Sequence, residues 1–163
     1  MKLVLSITLA LVVVSAHSQS LVQSTPLPKV YLIGEHEEHY LELSQSHPAL
    51  FLAIYNNDID QAYHAWSQCL VDMEDLASRL NFDLKGVKLW MNVYFNEDGT
   101  IANLSFYPKP NSRNVPHEHL TAFFKTFVKD YRLAVNAEKG FQHSTSVSFP
   151  TLVQREEPLA KRN

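Results

Sequence analysis

Residues 86–107, GVKLWMNVYFNEDGTIANLSFY, constrain the fold more than any other stretch. Val87, Leu89, Met91, Val93 and Phe95 alternate with Lys88, Trp90, Asn92 and Tyr94. Alternation over β-branched and aromatic residues is the pattern of a strand with two unlike faces. Asn96-Glu97-Asp98-Gly99 supplies a turn, because glycine takes positive φ without a clash and aspartate tolerates it. A second strand covers residues 100–107, and Pro108 and Pro110, which lack N–H groups, end it.

Burial of one face selects the register. With a two-residue Asp98-Gly99 loop, Phe95 falls opposite Ala102, Val93 opposite Leu104 and Met91 opposite Phe106, and one face is wholly apolar. A three-residue loop would set Met91 opposite Ser105 and Val93 opposite Asn103, so an even-length loop is expected. The reverse face then pairs Trp90 with Tyr107, Tyr94 with Asn103 and Asn92 with Ser105. Two readings of this face stand side by side. Either N-terminal helices half cover it, or it is a partner-binding face, since aromatic residues with polar handles are enriched at interfaces.

Residues 1–18 read as a secretory signal peptide, with Lys2 as the positive end, an apolar run over residues 3–14 and small residues near Ala16 and Ser18. That run is too short to span a bilayer, which takes roughly 20 residues, and no other run is as long. The expectation is an exported protein, periplasmic or extracellular, with no transmembrane segment after cleavage. A single cysteine, Cys69, allows no internal disulfide. The formal charge is −3. It lacks the basic stripes of a nucleic-acid binder. Residues 19–84 carry ten acids and two bases, whereas residues 85–163 carry eleven bases and seven acids. Complementary packing of the two halves accounts for this asymmetry, with an acidic docking surface as the alternative.

The expected organisation is a flexible lead-in at 19–29, one α+β domain at 30–153 and a flexible charged tail at 154–163. Within the domain, 30–85 is mainly helical and 86–153 forms a ββαβ unit with a small antiparallel sheet. A short strand is expected at 30–33 and a short helix at 35–45. The latter contains His36-Glu37-Glu38-His39, which raises a metal reading. The zinc-protease pattern needs histidines four apart and further ligands, so His36 and His39 are weak candidates beside a solvated acidic face. The apolar run at 49–55 fits a strand or a helical turn equally. Residues 58–80 form a helix whose core stripe is Ile59, Ala62, Tyr63, Trp66, Leu70, Met73, Leu76, Ala77 and Leu80. Cys69 lies near the stripe and reads as a small buried hydrophobe rather than a nucleophile.

After the hairpin, residues 108–114 form a proline-stiffened loop with Lys109, Asn111, Arg113 and Asn114 as donors. It is either a ligand-contact loop or a plain connection into the next helix. Pro116 suits a first helical position, and Leu120, Phe123, Phe124, Phe127, Val128 and Tyr131 form a heavy core stripe. His117 and His119 are two apart and diverge on a helix. Residues 141–149 alternate again as a third strand, with His143 on the apolar side as a half-buried histidine.

Strand, NEDG turn, strand, aromatic helix, glycine and a final strand ending in Phe149-Pro150 span residues 87–152. This order, with apolar positions Ile101, Leu104 and Phe106 after the turn, resembles the C-terminal domain of TonB-type periplasmic proteins. The segments YLIGEHEEHY, GVKLWMNVYFNEDGTI and YPKPNSRN are similar to those of small uncharacterised exported proteins of the Bacteroidetes type. Where an energy transducer has a membrane anchor and a Pro-rich spacer, this chain has a short signal and two helical segments. The resemblance therefore implies a fold and a binding mode, strand addition at an open sheet edge, but not energy transduction. The leading expectation is a non-enzymatic cell-envelope module that binds a protein and uses no cofactor. Its candidate contacts are Trp90, Tyr94, Tyr107, Lys109, Asn111, Arg113 and Asn114. The alternative is a small periplasmic hydrolase or metal-dependent enzyme, which needs two or more histidines to meet a carboxylate in one cleft.

Overall fold

The computed structural model of the chain describes residues 26–151. The expected signal peptide, the lead-in before residue 26 and the charged tail lie outside the described residues. In order, the elements are β1 (Val30–Leu32), a 3-10 turn (Glu37–His39), α1 (Tyr40–Ser46), β2 (Ala49–Leu50), α2 (Phe51–Ile54) and α3 (Ile59–Arg79). Then come β3 (Lys88–Phe95), β4 (Ile101–Pro108), α4 (His117–Asp130) and β5 (Phe141–Ser148). The fold is α+β, around one five-stranded sheet of order β1-β4-β3-β5-β2.

The expected ββαβ unit forms the middle of this sheet, where β3 pairs antiparallel with both β4 and β5. The sheet as a whole is mixed, however. The segment expected to be mainly helical contributes β1 and β2, each parallel to its neighbour, at the two outer positions. The short strand expected at 30–33 is β1, whereas its parallel pairing and the two-residue β2 leave no alternation in the sequence to read. The run at 49–55 is both things in turn, strand at Ala49–Leu50 and helix at Phe51–Ile54, and only Phe51 of it is buried.

The hairpin keeps the predicted pairs but closes differently. Val93 faces Leu104, Met91 faces Phe106 and Trp90 faces Tyr107, while Phe95 faces Ile101 rather than Ala102. Asn96 N–H donates to Thr100 O at 2.8 Å and Gly99 N–H to Asn96 O at 3.0 Å, so three residues make the loop. A bulge between Tyr94 and Phe95 absorbs the odd residue and restores the burial register. Gly99 is required at this turn. Its φ is 81°, and a Cβ there would stand 2.1 Å from the Leu133 carbonyl oxygen.

Helices α3 and α4 cover the apolar face of the sheet, and Phe95, Phe106, Phe124 and Phe141 are fully buried between the layers. Phe95 stacks on Phe141 at 4.9 Å and Phe82 on Phe123 at 5.0 Å. Each such ring contributes about 2 kcal/mol by leaving water. Asp58 starts α3 by accepting from Gln61 N–H at 3.0 Å, and Asn56 and Asn57 make the preceding bend at φ of 54° and 62°. The buried face of α3 is narrower than the predicted stripe. Ala62, Trp66, Cys69, Met73 and Ala77 are buried, whereas Ile59, Tyr63 and Leu80 are 71%, 55% and 48% exposed. In α4, Pro116 is the cap residue just outside the first turn. On the reverse face, α1 covers one end only, where Tyr31, Leu43 and Tyr94 form a second small cluster.

Candidate functional site

Most of the outer side of β5 lies beyond the reach of its short neighbour β2. Phe149 N–H donates to Val87 O at 2.9 Å, and the register pairs Val147 with Leu89 and Ser148 with Lys88. In an antiparallel pair, alternate residues bond the partner strand and those between point away. The odd-numbered residues of β5 therefore bond β3, and Gln142, Ser144, Ser146 and Ser148 turn their N–H and C=O groups outward. On that side β2 pairs with Phe141 and Gln142 alone. Among the described residues no strand lies beside the row from Ser144 to Ser148, and Ser144 and Ser146 are exposed. Such a row is a template for pairing with another chain.

An apolar groove of about 810 Å³ lies between this edge and the N-terminal half of α3. Phe51, Trp66, Leu70, His143 and Val147 line it, with the exposed Ile59 and Tyr63 beside them, and among the described residues no Asp, Glu, Lys or Arg does. His143 packs its ring 4.7 Å from Phe51 and 4.5 Å from Trp66. Burial alone pushes its pKa down to about 4, so at neutral pH it is an uncharged wall of the groove.

The reverse face is divided. Tyr94, a candidate contact, is 3% exposed beneath α1, with the His47 ring 5.4 Å away. It is a core residue on that side, which corrects its place in a binding face. Trp90 and Tyr107 are 44% and 45% exposed and form the uncovered end. Lys109 reaches across them. Its Nζ stands 5.6 Å from the Trp90 ring centroid and donates to Ser146 Oγ, which brings it to the open edge of β5.

Compared with protein-family models, with curated proteins and with solved structures, the chain matches none.

The 108–114 loop is committed to holding itself. Lys109 N–H donates to Lys88 O at 2.9 Å, Lys88 N–H to Ser112 Oγ at 2.9 Å, and Arg113 N–H to Gly86 O at 2.8 Å. The Arg113 guanidinium meets the Asp83 carboxylate at 2.5 Å and also the Asp83 carbonyl. The Lys85 N–H and then Arg113 hold the Asp83 carboxyl below its ordinary pKa. Asn111 and Asn114 stand exposed on the loop.

His36 and His39 sit together at a ring distance of 6.4 Å, each beside a carboxylate. His36 Nδ1 lies 3.7 Å from Glu38, and His39 Nδ1 3.3 Å from Glu42. Among the described residues no three His, Cys, Asp or Glu side chains gather to hold a metal. Cys69 is fully buried, and burial pushes its thiol up to about 12, so it carries no thiolate at neutral pH. Of the residues that build the open edge and groove, Lys109 and Trp90 were candidates from sequence. Ile59, Tyr63, Ser144, Ser146 and Ser148 were not. The signal for the serines was their place at every second position of the last long strand, the side of β5 that faces away from the core, and Ile59 and Tyr63 read as core from their helical spacing.

Proposed function

We propose that this chain is an exported, non-enzymatic cell-envelope module that binds another protein by taking an extended segment of it onto the open edge of β5. The observation that carries this reading is the unpaired row at Ser144, Ser146 and Ser148 beside an uncharged groove. A strand added there gains main-chain hydrogen bonds from the edge and places every second side chain in the groove, which separates affinity from specificity. Exposed Leu50, Leu52, Ile59 and Tyr63 lie on the elements around the edge and supply apolar area for contact. The resemblance of residues 87–152 to TonB C-terminal domains points the same way. An enzyme reading draws less support. His36 and His39 both approach Glu38, at 3.7 and 3.9 Å, and are the one pair of histidines among the described residues seen to share a carboxylate, but that carboxylate is exposed. His64 lies on α3, His117 and His119 on α4 and His143 on β5, and burial is what lowers the His143 pKa, not a carboxylate beside it.

The test is capture from the native cell envelope with tagged protein beside two folded variants. Ser146→Pro removes an outward N–H without touching the β3 ladder, and Tyr63→Glu places a charge at the groove. A partner held by the wild type and lost with both variants supports the reading. A partner held equally by all three puts the contact elsewhere and contradicts it.

A further inference from the structure

We infer that the segment taken by β5, on the binding reading above, carries a carboxylate on its outward face opposite Ser146, between apolar residues that face the groove. The three central strands, KLWMNVYF, IANLSFYP and FQHSTSVS, contain no Asp or Glu. Their outward face at the uncovered end is instead positive. Lys88 pairs with Ser148 across the sheet, and Lys109 crosses Trp90 to Ser146. Two cations of this domain have carboxylate partners, Arg113 with Asp83 and Arg132 with Asp98 at 2.8 Å, and neither lies on this face. Lys109 has a hydroxyl and an aromatic face, and no ion pair among the described residues.

The position of this ammonium fixes what it would meet. In an added strand, the residue directly across from Ser146 projects on the same face, with its Cβ about 5 Å from that of Ser146. Lys109 Nζ already touches the Ser146 hydroxyl, so a Glu or Asp at that place reaches it. A Lys or Arg there would meet a like charge. Residues on either side of that position point through the sheet to the groove, where Trp66, Leu70 and His143 offer no charge, so they are apolar. The occupant is therefore an extended segment of the form apolar-acidic-apolar. Its acid selects register as well as partner, because sliding by two residues takes the carboxylate off Lys109.

Fluorescence anisotropy with labelled, end-blocked peptides tests this. The probe is a nonapeptide of alternating valine and threonine whose central outward threonine is replaced by Glu, Gln or Lys. The wild-type protein is expected to bind the Glu peptide at least about threefold tighter than the Lys peptide, as for a partly exposed ion pair. The preference should shrink as salt rises from 0.05 to 0.5 M, on the order of a threefold change in Debye length. Lys109→Glu should reverse it. Ser146→Pro should weaken all three peptides together. Equal affinity for the three peptides, lost with Ser146→Pro, overturns the carboxylate inference and leaves edge binding standing. Failure of all three to bind overturns both.

Discussion

His143 should make the domain acid-sensitive over a defined range. The unfolded chain protonates this ring near its ordinary value of 6.5, whereas burial against Phe51 and Trp66 pushes it down to about 4 in the fold. Between those values the unfolded state holds the extra proton. Its contribution is therefore fully present above pH 6.5 and is lost progressively as pH falls toward 4. A fall from 6.5 to about 4 sets an upper bound of roughly 3 kcal/mol. The ring is only half-buried, and solvent screening brings the expected loss to about 2 kcal/mol. Urea unfolding at pH 7 and pH 4.5, for wild type and for His143→Leu, measures it. Asp58, Asp83 and Asp98, whose carboxyls are held below their ordinary 3.8, weaken the fold in acid too, but equally in both proteins. The difference between the two proteins should thus grow by about 2 kcal/mol in favour of the leucine variant. Parallel pH profiles would refute the argument that this ring is held neutral by burial.

The Glu74 carboxylate is 6% exposed and accepts from both Thr151 N–H and Thr151 Oγ1 at 2.7 Å, tying the end of the sheet to α3. Glu74→Ala should cost about 3 kcal/mol by urea unfolding, since hydrogen bonds to charged groups contribute ~1.5–3 kcal/mol each and relief of burial offsets part; a loss below about 0.5 kcal/mol would contradict that role. Cys69 should react with a thiol reagent only as fast as the protein unfolds, and rapid stoichiometric labelling at pH 8 without denaturant would contradict its burial.

The hairpin was legible because its information is local. Val93 opposite Leu104 and Met91 opposite Phe106 follow from period-two burial, and the observed bulge changes the loop without changing those pairs. What sequence could not give is where non-local elements land. Trp90 and Tyr94 share one face of one strand, yet α1 covers Tyr94 and stops short of Trp90. Ile59 and Tyr63 satisfy helical periodicity as well as Trp66 does, yet Trp66 packs on Phe51 and His143 while they stay exposed. The open edge is likewise non-local, since it exists because β2 ends after two residues beside β5.

Amide hydrogen exchange at single-residue resolution addresses the central claim most directly. In the free protein, Ser144, Ser146 and Ser148 should exchange much faster than Thr145 and Val147, whose N–H groups bond β3. Saturation with the glutamate peptide should slow those three serines selectively. Serine amides already protected in the free protein would mean that the edge is closed. Serines that stay fast in a saturated complex would mean that the segment binds elsewhere, and either result would contradict the account.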